Sequence, residues 1–303
     1  MTHFDRTDLE LSDRELPDLD LQQPLSLPRR LFEYGTTAIA LGLTVVALLP
    51  LFAIFWQIVS QGLQHLSLEV LVSLPAPVGM EDQPNGFANA ILGTMMMVGV
   101  GASVSVPFGV MTGIFLSEFA GGTAIANGIR FAVKILSSVP SIVVGVFAYA
   151  TIVLATKQFS ALAGGFALGV IMLPIVTLTT EEALKLVPDT YRLASAGLGE
   201  GRFSTTFRAV IPNALPAIVT GVLLAVSRAA GETAPLIFTA LSSQNWPQGL
   251  LSPTPSLSVL IFNYADSPYR EQNALAWTAA FVLLAIVLLV NTISRQVTRK
   301  HLK

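Results

Sequence analysis

The sequence predicts an all-α integral membrane protein with six transmembrane helices, on three observations. Hydrophobic residues fill 52% of the 303 positions and charged residues only 12%, whereas a soluble domain carries roughly a quarter charged residues. The mean hydropathy is +0.66. The apolar residues also gather into runs long enough to cross a bilayer core of about 30 Å, which takes roughly 20 residues of helix.

Residues 1–30 precede the first run. The acids Asp5, Asp8, Glu10, Asp13, Glu15, Asp18 and Asp20 outnumber Arg6, Arg14, Arg29 and Arg30 there, and so acidic a segment has too little apolar surface to fold, so it reads as a disordered cytoplasmic tail. The membrane domain, residues 31–303, holds the six runs: 34–59, 89–116, 133–156, 161–179, 214–241 and 274–293. The first follows a long charged segment and outlasts a signal-peptide core, so it is a retained helix. Pro50, Pro107, Pro140, Pro174 and Pro235 lie inside or near the ends of the runs, and Gly164, Gly165 and Gly169 punctuate the fourth. Either the helices simply tolerate these residues and pack through them, or bent helices line a pathway. SSVPSIVVG (137–145), with hydroxyls beside a proline, suits the second reading best.

Charge sets the orientation. With both termini in the cytoplasm, only Lys157 and Arg270 among the basic residues between spans fall outside, as the positive-inside rule requires. Trp56, Trp246 and Trp277 then sit at outer helix ends, where amphipathic rings favour the headgroup region. The outer loops, about 60–88 and 242–272, are long enough to receive a soluble donor protein. A net charge of −2 argues against nucleic acid as a partner. The chain has no cysteine, and His3, His65 and His301 are scattered, which leaves no metal or thiol chemistry. Glu232 is the one acid deep in a run, with no His or Cys beside it, which disfavours an intramembrane enzyme. No GxxxxGK[ST] loop is present, so any ATP hydrolysis belongs to another chain, and no cofactor is expected.

Two stretches carry the chemistry. Residues 181–212, EEALKLVPDTYRLASAGLGEGRFSTTFRAVIP, are too polar for lipid. Pro188 or Asp189 starts a short helix with Tyr191, Ala194 or Ser195, and Leu198 on one face, and Gly197, Gly199 and Gly201 force a turn. A second short helix follows, with Phe203, Phe207 and Val210 on one side. Such a pair binds a partner's groove, lies on the membrane surface or caps the bundle. The second stretch, SRAAGETAPL (227–236), places Arg228 and Glu232 in an apolar run, where each charge costs about 2.5–3.5 kcal/mol at a helix centre. On one helix they share a face about 6 Å apart along the axis. Either they neutralise each other, with Glu in the poorer, C-terminal position, or both face a water-filled route.

Residues 181–212 resemble the cytoplasmic coupling loop of ABC-importer permeases, whose signature is Glu-Ala-Ala, three residues, Gly, nine residues, then Ile-x-Leu-Pro. The aligned positions are Leu193, Ala194, Ser195, Gly199, Ala209, Ile211 and Pro212. Gly and Pro match, while Leu193 stands for the Glu, Ser195 for the second Ala and Ala209 for the first Ile. VPFGVMTGIFLSEF (106–119), VPSIVVGVF (139–147), SRAAGETAPLIFTAL (227–241) and PSLSVLIFNYA (255–265) resemble the A-type (PstA-type) permeases of bacterial high-affinity phosphate importers, and the similarity covers about residues 30–295. The resemblance implies a type I ABC importer permease fold (MetI-like) with a cytoplasmic coupling helix, in the bacterial inner membrane. It implies half of a path for inorganic phosphate, shared with a homologous PstC-type permease. Two PstB-type ATPase subunits would dock on Tyr191, Ala194, Ser195, Leu198, Gly199 and Phe203, and a PstS-type binding protein would deliver the cargo. It also implies a transport role for Arg228 and Glu232: a planar guanidinium fork matches phosphate oxygens, and the carboxylate orients it or limits how long the anion stays. An importer of another oxyanion, sulfate or molybdate, and a stand-alone ion-coupled transporter are the alternatives.

Overall fold

The computed structural model describes residues 27–79 and 83–300, all helices and connections. The expected acidic tail lies mostly outside these residues, and helix α1 (Leu27–Gln64) already includes residues 27–30. Two compact units divide after Phe55, and the second, from Trp56 onward, holds everything else. Helix α2 (Leu68–Val72) is a single turn capped by Ser67. The long helices that follow are α3 (Ala88–Ile114), extended by a π turn at Phe115–Phe119, and α4 (Ala124–Ser138). Next come α5 (Ser141–Ala148), continued by a π turn at Tyr149–Val153 into α6 (Leu154–Thr156), and α7 (Ala161–Lys185). Among the described residues, five helices are long and apolar enough to cross a membrane, and six if the bent pair Ala124–Ser138 and Ser141–Thr156 is one span.

The centre of the second unit is the α3–α7 pair. The two helices run parallel: Gly101 meets Gly165, Gly109 meets Val176 and Gly113 meets Thr180. Gly101, Ser105, Gly109 and Gly113 recur every fourth residue and are all buried, which is the small-residue stripe that lets membrane helices approach backbone to backbone. A methyl group on Gly109 would collide with the Val176 side chain. Met97, Leu168, Met172, Val176, Ala225, Ala229 and Leu236 fill the adjoining core.

Three elements differ from the sequence expectation. The run 133–156 is not one straight helix, because the chain turns by 99° between Ser138 and Ser141. Pro140 has no N–H to continue α4, and it drives Val139 into extended backbone (φ −68°, ψ 128°). The run 214–241 is also broken, at residues 231–233, into α10 (Ile211–Ala230) and α11 (Ala234–Thr239). The second short helix expected after Gly201 is not separate. Helix α9 (Arg202–Thr205) passes through a π turn at Thr206–Val210 straight into α10. Pro212, in the first turn of α10, cannot donate to the carbonyl four residues back, and the wider turn accommodates its ring.

The segment 242–272 is more than a connector. Helix α12 (Leu257–Ala265) starts at the Ser256 cap, and residues 254–260 are buried. Gly93 of α3 lies against the Pro255 carbonyl, and the Thr94 hydroxyl accepts the Leu257 N–H at 2.9 Å. Helix α13 (Arg270–Lys300) closes the chain, and Asn291 bonds Ser227 of α10 at 3.0 Å.

Candidate functional site

Arg228 occupies the last turn of α10, and Glu232 falls in the break that follows, not on the same helical face. The Glu232 N–H returns to the Ala229 carbonyl, while its own carbonyl accepts the Ser258 hydroxyl at 2.8 Å. The bend brings the Glu232 Oε1 within 3.5 Å of Arg228 Nε, an ionic contact too long to be a strong hydrogen bond. The Arg228 side chain is 62% exposed and that of Glu232 15%. The pair is therefore neither sealed nor tight, and the guanidinium fork keeps donors for other partners.

Arg228 faces a cavity of about 280 Å³. The rest of its wall comes from the α4–α5 break (Leu136 to Ser141, and Val144) and from Ile171, Pro174 and Ile175 of α7. Three of these residues are serines, Ser137, Ser138 and Ser141, and Pro174 lies near the midpoint of α7. A permanent cation, hydroxyls and apolar walls thus meet at mid-depth, where a water takes about 30 Å³ and a small hydrated anion has room.

At the end of the bundle where α7 stops, α8 (Asp189–Gly197) lies between two breaks in the helix. Pro188 opens it, and Gly199, at φ +82°, closes it. The Glu200 N–H bonds the Ser195 carbonyl and the Gly199 N–H that of Ala196. This is a Schellman motif, in which the left-handed residue is normally Gly because a Cβ is penalised there. Tyr191, Ala194 and Leu198 are exposed along one face, Leu198 at 85%, with Leu186 and Leu193 also exposed. Phe203 is exposed and stacks on Phe207 at 4.5 Å between ring centres. Ser195 points the other way, its hydroxyl 2.8 Å from that of Thr205. Of the six expected docking residues, five are each exposed, and Ser195 pins α8 to α9.

Sequence reasoning missed the ionic cluster beneath α8. Arg192 grips Glu118 of the α3 π turn (Nη2–Oε1 2.7 Å, Nε–Oε2 3.3 Å) and also donates to the carbonyls of Leu184 and Val187 at the end of α7. Hydrogen bonding to Glu118, above all, raises the pKa of the Arg192 guanidinium beyond its already high value. Arg130 of α4 binds Glu181 of α7 at 2.7 Å and donates to the Leu116 carbonyl at 2.9 Å. Glu118 and Glu181, 6% and 2% exposed, are both buried, unlike Glu232. The one sequence signal was an acid closing an apolar run, LSEF, and nothing linked it to an arginine 74 positions away.

Residues 105–302 match the family model described as binding-protein-dependent transport system inner membrane component. The phosphate transport system permease protein PstA of Yersinia pestis is 38% identical over 268 residues, covering 86% of this chain and 90% of that protein. The protein of the same name from Haemophilus influenzae is 38% identical, covering 84% and 91%, and the probable one from Methanocaldococcus jannaschii is 34% identical, covering 82% and 87%. Among solved structures, an inward-facing MetNI methionine ABC transporter aligns with a TM-score of 0.57 at 19% identity, over 71% of this chain and 95% of that one. A bacterial alginate ABC transporter in complex with an alginate pentasaccharide-bound periplasmic protein aligns with a TM-score of 0.62 at 14% identity, over 90% and 98%. At these identities the structures speak for the fold alone, which is the MetI-like permease fold expected above. A multi-pass membrane chain with this fold, matched over most of its length by these relatives, belongs to the binding-protein-dependent transport system inner membrane components, in their PstA branch.

Proposed function

We propose that this chain is a permease subunit of an ATP-driven importer of inorganic phosphate and supplies half of the translocation path. The observation that carries the reading is the cavity at mid-depth, where Arg228 meets the hydroxyl-bearing α4–α5 break. An oxyanion needs a charged, planar donor set there, and the loose contact with Glu232 at 3.5 Å weakens the hold so that the anion is released. The names of the relatives, phosphate transport system permease proteins, favour phosphate over sulfate or molybdate.

In this reading both termini and α8 are cytoplasmic in a bacterial inner membrane. Two PstB-type ATPase subunits dock on the Tyr191, Ala194, Leu198, Gly199 and Phe203 surface, with Ser195 holding its shape. A PstC-type permease completes the path, and a PstS-type binding protein delivers phosphate to the outer side, where α12 and the 242–256 segment lie. The closing test is uptake by the assembled complex carrying Arg228→Gln. Loss of a charged hydrogen bond, worth about 1.5–3 kcal/mol, predicts a fall of roughly ten- to a hundredfold, with assembly unchanged. Undiminished phosphate uptake, or loss of sulfate uptake instead, would refute the assignment.

A further inference from the structure

We infer that Arg192 and Glu118 form the joint through which movement of the docking helix α8 reaches the translocation cavity, an inference that rests on α8 being the ATPase docking helix. Chain connectivity alone transmits such movement poorly. Pro188 interrupts the helix on one side of α8, and Gly199, in left-handed backbone, followed by Gly201, interrupts it on the other. A short helix held between two such points swings unless side chains tie it down.

Arg192 is that tie. Its guanidinium closes a two-pronged contact on a carboxylate that is 7% exposed, and its remaining donors take two backbone carbonyls at the end of α7 and the Asp189 carboxylate. The geometry is directional: a planar fork on a carboxylate resists both sliding and rotation. Glu118 stands inside the π turn Phe115–Phe119, and π turns occur within helices where the backbone departs from regular pairing, frequently at functional positions. Within that turn the Leu116 carbonyl accepts Arg130, and Arg130 in turn holds Glu181, which also binds Lys185 at 2.9 Å.

The contacts therefore run from α8 to the end of α3, across to α4, and along α4 to its 99° bend at Pro140. That bend lines the cavity that Arg228 also lines. A displacement of α8 thus has a continuous path of charge-assisted hydrogen bonds and helix to the cavity. A purely structural ion pair would hold the same groups together without any effect on how much phosphate crosses per ATP.

The test uses the full four-component complex in proteoliposomes, with Glu118→Gln, Arg192→Glu, Glu118→Arg and the double swap. Three quantities are read: ATPase subunits that co-purify, ATP hydrolysed, and phosphate taken up per ATP. For Glu118→Gln the expectation is an assembled complex that still hydrolyses ATP, with phosphate per ATP down roughly tenfold, the scale of a typical coupling energy. The double swap restores most of the ratio lost in either charge reversal. A normal ratio in Glu118→Gln, or uptake that falls only in proportion to the amount of assembled complex, overturns the inference. The docking premise is tested apart: Leu198→Asp is expected to reduce co-purifying ATPase, and full recovery of ATPase with that variant removes the premise and the inference together.

Discussion

At the scale of single residues, Gly199 is the position where backbone geometry and the family pattern meet. Its φ of +82° terminates α8 through two hydrogen bonds to Ala196 and Ser195, and a branched side chain there costs about 1–2 kcal/mol in the left-handed region. Gly199→Val is therefore expected to fray the α8 end, seen as faster proteolysis between residues 186 and 201 in detergent, while Gly199→Asn, which tolerates this backbone, digests like the parent. Equal digestion of all three would dismiss the strain argument. Leu193, where the family pattern has Glu, is exposed at 71% and brings no charge to that position. The chain instead places its charge one residue earlier, in the grip of Arg192 on Glu118, and that arrangement was invisible in the sequence because the partners are far apart along the chain. Arg228 and Glu232 were legible from their cost in an apolar run. Their separation by a helix break was not, since i, i+4 spacing reads as one face until the chain is seen to turn at Gly231.

At the scale of elements, prolines decided where helices stop. The serine-proline run 137–141 left a tolerated proline and a bent helix both open, and the structure turns the chain by 99° there. The expected second short helix bearing Phe203, Phe207 and Val210 is not separate, because the π turn at Thr206–Val210 carries α9 straight into α10. Helix α12 escaped the span search because nine residues are too few to cross a bilayer; its burial depends on the contact between Gly93 and Pro255, a tertiary event. The α3 stripe offers a controlled comparison. Gly109 faces the Val176 side chain, whereas Gly99 has open space around it. Gly109→Val should lower the thermal midpoint in detergent by an overpacking cost of about 1–3 kcal/mol, and Gly99→Val should leave it within error. Matching midpoints for the two variants would mean that α3 and α7 do not pack through this stripe.

At the scale of the whole molecule, hydropathy and basic residues were sufficient for the class of fold, because six apolar runs and a one-sided charge distribution constrain a membrane chain more than any local propensity does. The runs 34–59, 89–116, 161–179 and 274–293 each lie within one long helix, and only the runs 133–156 and 214–241 needed correction. The chain carries no cysteine, so single introduced thiols report sidedness without background. Cysteine at Gln158 is expected to react with an impermeant maleimide added outside intact spheroplasts, and cysteine at Glu200 only after permeabilisation. The reverse pattern would invert the orientation and place the α8 surface out of reach of any ATPase.

The parallel α3–α7 contact has a mechanical consequence. Where two spans lie side by side and interlock through small residues for about three turns, from Gly101 against Gly165 to Gly113 against Thr180, they resist sliding past each other and travel as a single spine. Any change in the width of the route must then be made by the jointed spans that lean on that spine, the pair hinged at Pro140 and the one interrupted after Ala230.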